Sequence, residues 1–140
     1  MIPERYSLSH IKLFPLAILL LSGCPEPEPE GIQPTFDEIY EKVFVPSCSD
    51  SGCHSTTAGA GSLVLEGEGV YDSLINSPCD NPIAVAEGLK RINTEDPADS
   101  FLYMKITDPK GMGQVMPPDF ALGQDETDAI LQWIEDGALE

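Results

Sequence analysis

Four residues of this sequence combine reactive or metal-binding side chains in a spacing that suggests one shared site. Cys48 and Cys53 enclose four residues, and His54 follows the second cysteine directly. Met116 lies much later in the chain, immediately before two prolines. Thiolates act as nucleophiles and metal ligands, and imidazole and thioether groups are also ligands. The pattern is compatible with a bound metal or cofactor, with a Cys48–Cys53 disulfide, or with catalysis by a thiol and an imidazole.

Amphipathic helices are predicted on both sides of this pattern. The first runs from about Phe36 to Phe44, begins with a capping box formed by Thr35 and Glu38, and is ended by Pro46. Further helices are predicted over 70–76, from Asp96-Pro97 onward, and from Gln124 to Asp136 with Gly137 as C-cap. Strand signals are weak throughout. The sequence therefore predicts an all-α fold, a small bundle of about four helices with long loops.

The connections between these helices are long. Residues 47–62 and 111–123 show no helical periodicity, and 83–92 fit no clear pattern. Gly52 permits a positive φ, which would let the loop between the two cysteines bend back. Long loops are uncommon in a compact domain without a reason, and a large buried ligand that they enclose would supply one.

The N-terminus has the features of an export signal. Arg5 and Lys12 precede an apolar run over 13–21, which is too short to span a bilayer and has the length of a signal-peptide core. The run ends in Leu21-Ser22-Gly23-Cys24, which resembles the lipobox of bacterial lipoproteins. That resemblance implies a signal peptide over 1–23, cleavage before Cys24, and a diacylglycerol on the Cys24 thiol.

An acidic spacer follows the lipobox. Residues 24–34 alternate proline and glutamate at first, which prevents a helix and favours an extended spacer between the membrane and a single domain over 35–140. Position +2 after the cysteine is Glu26 rather than aspartate, so the inner-membrane retention signal of the enterobacterial family is absent. This indicates a cell-envelope protein anchored by lipid in the outer membrane and facing the periplasm.

The charge of the chain limits its partners. The net charge is −17 at pH 7, with 24 acidic and 7 basic residues. Such a surface does not bind nucleic acid, and it favours a partner protein with a basic face.

Zinc and hydrolytic chemistry are poorly supported. Structural zinc sites space their ligands by two or more residues, whereas Cys53 and His54 are adjacent. His10 lies in the predicted signal peptide, so His54 is the only histidine of the predicted mature domain. A serine or cysteine nucleophile needs a base within hydrogen-bond reach. The only histidine that could be this base, His54, directly follows a cysteine in the predicted site. We therefore do not expect an enzyme.

The order of these features resembles class I c-type cytochromes, and is most similar to small exported domains of delta-proteobacteria and planctomycetes. A capped helix runs into Cys48-x₄-Cys53-His54, a later loop presents Met116-Pro117-Pro118, and the last helix contains Trp133-Ile134 followed by Gly137-Ala138. The resemblance covers roughly residues 36–138. It implies that the helices at the two ends of the domain pack together.

The resemblance also implies a cofactor and a function. Cys48 and Cys53 would attach one haem c through thioether bonds, and His54 and Met116 would be the proximal and distal ligands of its iron. Met/His ligation raises the reduction potential of haem and leaves no open iron position. The chain would then be an electron-transfer lipoprotein rather than an enzyme, with a redox protein as its partner.

One departure from the family motif leaves alternatives open. The usual motif has two residues between the cysteines, and this chain has four. Cys48 could instead pair with Cys79 in a disulfide, which leaves attachment to Cys53 alone. Met104 and Met112 compete with Met116 as distal ligand. Met104 is expected to be in the core or partly exposed, and Met112, between glycines, is expected to be less constrained, so Met116 is preferred. The alternative function is a haem-free, disulfide-stabilised lipoprotein with a cytochrome c-like fold, acting as a binding or structural module.

Overall fold

A computed structural model describes residues 31–140, and within them the chain forms five helices and no strand. The predicted signal peptide over 1–23, Cys24 and most of the spacer lie outside these residues. Helix α1 spans 36–48, and the others are α2 (Val70–Ile75), α3 (Pro82–Glu87), α4 (Phe101–Ile106) and α5 (Gln124–Glu135). The prediction of a small all-α fold is confirmed. None of the described helices has the length and hydropathy that crossing a bilayer requires.

Helix α1 begins where the sequence predicted but continues beyond Pro46. The Thr35 hydroxyl accepts a hydrogen bond from the Glu38 N–H at 3.4 Å and caps the helix. The prediction that Pro46 ends the helix is wrong, because the helix changes register before the proline. Its middle segment, Tyr40–Phe44, is π-helical, and α-helical geometry resumes over Val45–Cys48. Proline clashes with the carbonyl four residues earlier in a regular helix, and the wider π turn relieves this clash. Cys48 is consequently the last residue of α1.

The first and last helices pack against each other, which confirms the predicted pairing of the two ends of the domain. The rings of Phe36 and Trp133 lie 5.9 Å apart, and Tyr71 of α2 meets Phe36 edge-on at 5.3 Å. Trp133 is 1 % exposed, and its indole N–H donates to the Leu139 carbonyl at 2.7 Å. Around this contact lies the main core, whose fully buried members include Ile39, Val43, Phe44, Leu74, Ile130 and Ile134.

Helix α3 was not predicted, although its ends carry recognisable signals. The Asn81 side chain accepts hydrogen bonds from the N–H groups of Ile83 and Ala84, at 3.0 and 3.2 Å. Pro82 occupies the first turn, and Gly88 ends the helix at φ +71°. These are an N-cap, a first-turn proline and a C-cap glycine. The helix is only six residues long, so its periodicity is too short to detect.

Helix α4 begins later than predicted. Asp96-Pro97 starts a 3₁₀ turn over Pro97–Asp99 rather than an α-helix, and α4 itself begins at Phe101. Ser100, which is fully buried, lies between the two elements, and its hydroxyl accepts from the Asn93 N–H at 2.8 Å. The N–H groups of Phe101 and Leu102 donate to the carbonyls of residues 90 and 91. The start of α4 is thereby tied to the segment that carries Arg91.

Candidate functional site

The structure places all four sequence-predicted site residues on one cavity. Cys48, Cys53, His54 and Met116 line a cavity of about 390 Å³. This volume lies within the range of roughly 300–1,000 Å³ that is typical of small-molecule and cofactor sites. Residues that are far apart in sequence thus converge on one potential binding site.

The rest of the cavity wall is mainly apolar and comes from several elements. Apolar side chains come from the loops and from α4: Leu63, Leu65, Phe101, Leu102, Ile106 and Pro118. Five further side chains with polar groups also reach it: Cys79, Asp80, Asn81, Arg91 and Lys105. Apart from Cys79, which was considered as a disulfide partner of Cys48, none of these polar residues was predicted to lie at the site. An apolar wall with a few polar groups is the usual composition of a cofactor pocket.

The loop between the two cysteines closes on itself. The His54 N–H donates to the Cys48 carbonyl at 3.1 Å, and the Cys53 N–H donates to the Asp50 carbonyl at 2.8 Å. Residues 50–52 of the Cys-x₄-Cys spacing are exposed, and Gly52 also borders the cavity. Gly52 does not use the positive φ that glycine permits, because the tight turn at Asp50 closes the loop without it. Both cysteines and His54 reach the same cavity despite the longer spacing.

The His54 ring is oriented by a backbone carbonyl. Its Nδ1 lies 3.1 Å from the Leu63 carbonyl oxygen, and the Leu65 N–H donates to the His54 carbonyl at 2.7 Å. Because a carbonyl oxygen only accepts, Nδ1 carries the proton and donates. The neutral ring then has its lone pair on Nε2. This is the arrangement of metal-binding histidines, whose other ring nitrogen donates to a carbonyl or carboxylate.

The three cysteines of the described residues are all unpaired. The Cys48–Cys53 and Cys48–Cys79 disulfides considered from the sequence are therefore absent from the structure. The Cys48 thiol donates to the Val43 carbonyl at 3.9 Å. Burial raises its pKa from 9.0 to about 12, and the negative charges of Glu126 and Cys53 act in the same direction. Cys48 therefore stays a protonated thiol at neutral pH.

Cys79 is the third thiol of the cavity wall. It is 6 % exposed, and its thiol donates to the Leu89 carbonyl at 3.4 Å. Burial raises its pKa, and the nearby Arg91 charge opposes the shift. Cys79 is therefore a buried, protonated thiol at neutral pH.

The three described methionines differ sharply in their surroundings. Met104 and Met112 are 4 % and 2 % exposed and pack into a second, smaller apolar cluster with Cys79 and Ala84. The core prediction for Met104 is confirmed. The expectation of a loosely constrained Met112 is wrong, because this side chain fills that cluster. Of the three, only Met116 lines the cavity.

The loop that carries Met116 is held by α4. The Met116 N–H donates to the Lys105 carbonyl at 2.7 Å. The Lys105 ammonium donates to the Met112 carbonyl at 3.3 Å and also to the Gln114 carbonyl. One residue of α4 thus holds the loop through both its backbone and its side chain. The backbone at Met116 is therefore held in place although it lies in an irregular loop.

No family model, no curated protein and no solved structure matches the chain. Within residues 31–140, no group of three or more histidine, cysteine and acidic side chains converges as a multidentate metal site. The chemistry of the cavity therefore has to be inferred from its own residues.

Proposed function

We propose that this chain is an electron-transfer lipoprotein that carries one covalently attached haem c, with His54 and Met116 as the axial ligands of its iron. The observation that carries the proposal is the state of His54 on the cavity wall. Its Nδ1 is engaged by the Leu63 carbonyl at 3.1 Å, which leaves Nε2 as a ligand. The same cavity is lined by two cysteines and by the Met116 thioether.

The residues of the cavity fit the requirements of haem c. Attachment needs cysteine thiols next to a histidine ligand, and Cys48, Cys53 and His54 are held together by the closed loop. Stable low-spin iron needs a second ligand, and the Met116 loop is fixed by Lys105. A large apolar ring needs apolar walls, and those of this cavity come mainly from 63–65, α4 and Pro118. When bound, haem would supply a one-electron couple whose potential is raised by the imidazole and thioether ligands.

The protein would contribute position and environment rather than a reaction step. The hydrogen bond to the Leu63 carbonyl fixes the His54 tautomer and would make the imidazole a more basic ligand for iron. The apolar walls keep water away and lower the local dielectric constant, which favours the less charged state of a redox centre. Since His54 and Met116 would both ligate the iron, no position would be left for a substrate. These properties are those of an electron carrier.

The proposed location follows from the N-terminal segment and from the charge. Lipid attachment at Cys24 would anchor the chain in the outer membrane, and the proline–glutamate spacer would hold the domain above the periplasmic face. A net charge of −17 favours a redox partner with a basic face. Electron exchange with such a partner is therefore expected to slow as ionic strength rises.

The proposal is tested by expressing the full chain together with haem-maturation machinery. The expected result is a sharp reduced α-band and a pyridine haemochrome that stays with the denatured protein, which shows covalent attachment. The band position distinguishes two thioethers from one. A colourless protein from competent machinery contradicts the proposal and supports the haem-free binding or structural module.

Two variants separate the roles of the thiols. Cys53→Ser is expected to prevent or strongly reduce covalent haem incorporation, because this thiol precedes His54 directly. Cys79→Ser is the matched control, since Cys79 lines the same cavity but lies outside the Cys-His motif. Equal haem loss in both variants would show that the motif has no special role.

A further inference from the structure

The few basic residues of the described chain fall into two groups. Three of the five are paired with carboxylates: Lys42 with Glu38, Lys90 with Glu95, and Lys110 with Asp99. The other two are Arg91 and Lys105, and no carboxylate within residues 31–140 lies within ion-pair distance of either. Both of these unpaired cations line the cavity that holds His54 and Met116. In a chain with 24 acidic residues, basic side chains on the solvated surface would be expected to lie near carboxylates, as the three paired lysines do.

Arg91 is the more deeply placed of the two. It is 5 % exposed, and it donates to the Ser73 carbonyl at 2.6 Å and to the Pro78 carbonyl at 2.8 Å. These bonds hold the guanidinium in place and leave other N–H donors for a further partner. The Asp80 carboxylate also lies on the cavity wall, where it accepts from the Ser62 hydroxyl at 2.8 Å rather than pairing with Arg91.

A buried guanidinium without a counter-charge is costly. Arginine stays protonated in proteins, so it cannot avoid the cost by losing its proton. Burial lowers the pKa of Arg91, and the nearby Asp80 carboxylate offsets this only in part. Burial also lowers the pKa of Lys105, with no compensating charge. Neutral carbonyls satisfy hydrogen bonds but do not neutralise charge, so an anion at the cavity would stabilise both residues.

We propose that Arg91 and Lys105 are the counter-charges for an anionic, largely apolar occupant of this cavity, and that in the haem protein they bind its propionate carboxylates. The carboxylate-binding role follows from the two unpaired cations on an apolar cavity. Its assignment to propionates rests on the proposed function. Arg91 offers a planar fork that matches a carboxylate, and Lys105 offers the remaining donor of its ammonium group.

The inference predicts that the cavity discriminates between an acid and its ester. The full chain, purified without haem, is titrated with protoporphyrin IX and with protoporphyrin IX dimethyl ester, and binding is followed by porphyrin fluorescence. Neither probe contains iron, so axial ligation does not contribute. The free acid is expected to bind about 10- to 100-fold more tightly than the ester, as hydrogen bonds to charged groups would provide.

The variants are judged by the acid-to-ester ratio of affinities. Arg91→Gln is expected to lower this ratio about tenfold. A variant that merely unfolds loses both probes together, so the ratio separates a lost counter-charge from a lost fold. Lys105→Gln is expected to lower the ratio as well, and Lys110→Gln, which removes a paired surface charge, is expected to leave it unchanged.

The outcomes distinguish this inference from the proposed function. Equal binding of acid and ester by the wild-type chain, or no binding of either, overturns the inference even if covalent haem is found after maturation. An acid preference that depends on Arg91 upholds it even if no covalent haem forms. Palmitate serves as a third probe: if it displaces the free-acid porphyrin and binds more tightly, the anionic occupant is a lipid rather than a tetrapyrrole.

Discussion

Replacement of Met116 by alanine is expected to lower the reduction potential of the haem protein, whereas the same change at Met112 is expected to lower its stability. The two residues are close in sequence, and both were candidates for the distal ligand. The structure separates them, because Met116 lines the cavity and Met112 fills a small apolar cluster. The pair therefore tests the ligand assignment with a chemically identical control.

The expected magnitudes follow from burial and from the ligand chemistry. Met112 is 2 % exposed, and truncation of a fully buried methionine costs roughly 2–5 kcal/mol of the free energy of unfolding. Each kcal/mol lowers the Tm of a domain of this size by about 4–8 °C, so M112A should lose at least about 8 °C. Met116 is only partly buried, so the apolar burial that its truncation removes is worth about 1 kcal/mol of the free energy of unfolding. A thioether that binds ferrous iron about a hundredfold more tightly than ferric iron raises the reduction potential by about 120 mV. The reduction potential of M116A should therefore lie on the order of 100 mV below that of the wild type.

Both quantities are measured on the same haem-loaded preparations. Potentiometric titration followed at the α-band gives the potential, and circular dichroism during heating gives Tm. The reasoning is refuted if M116A keeps the wild-type potential, or if M112A rather than M116A shifts it. Full retention of Tm in M112A would refute the account of the second apolar cluster.

Three further perturbations test individual features of the fold. Because the folded-state pKa of Cys48 is raised from 9.0 to about 12, its contribution to stability is complete below pH 9 and is lost as pH rises towards 12. Urea unfolding of the haem-free wild-type chain should give a lower free energy of unfolding at pH 10 than at pH 8, and this difference should be smaller in C48A. The same difference in wild type and C48A would contradict the burial of this thiol. Gly137→Ala should lower the free energy of unfolding by about 1 kcal/mol, since Gly137 has φ +99°. Gly52→Ala should leave it almost unchanged, since φ there is not positive and an added Cβ meets no atom within 4 Å. Equal losses for the two variants in denaturant titrations would contradict these conformations. Trp133→Phe should lower the free energy of unfolding by about 1–3 kcal/mol, because it replaces a buried indole by a smaller ring and removes its 2.7 Å hydrogen bond. An unchanged Tm would show that neither contributes to stability.

Helices with strong local signals could be predicted from the sequence. The start of α1 at Phe36 and the bounds of α5 agree closely with prediction, because a capping side chain and an extended apolar period lie within each segment. The predicted second helix over 70–76 corresponds to α2, which has no side-chain cap but buries Val70 and Leu74 four residues apart. Such elements depend on neighbours three or four residues apart, which a single sequence displays directly.

Elements that depend on a local compromise were missed. The π turn before Pro46 gives up regular α-helical hydrogen bonds and lets the helix continue past the proline. No residue pattern in the sequence predicts such a turn. The predicted start of a helix at Asp96-Pro97 was reasonable from its cap and proline, but the buried Ser100 interrupts the two elements through its bonds to Asn93. In the first case the helix accommodates its own proline, and in the second the preference of the segment is overridden by contacts with another segment.

The sequence by itself determined which groups are available for chemistry: a cysteine–histidine pair, a second cysteine before it, and a methionine ahead of two prolines. It also determined the helical class, the predicted lipoprotein signal and the strongly acidic charge, because these depend on residue types and short spacings. Only the tertiary structure decided that Met116 rather than Met112 reaches the cavity, that the three described thiols are unpaired, and that Arg91 lies there without a carboxylate partner among residues 31–140. The physical reason is that burial and charge pairing depend on residues distant in sequence, which meet only when the helices and the loops between them pack together.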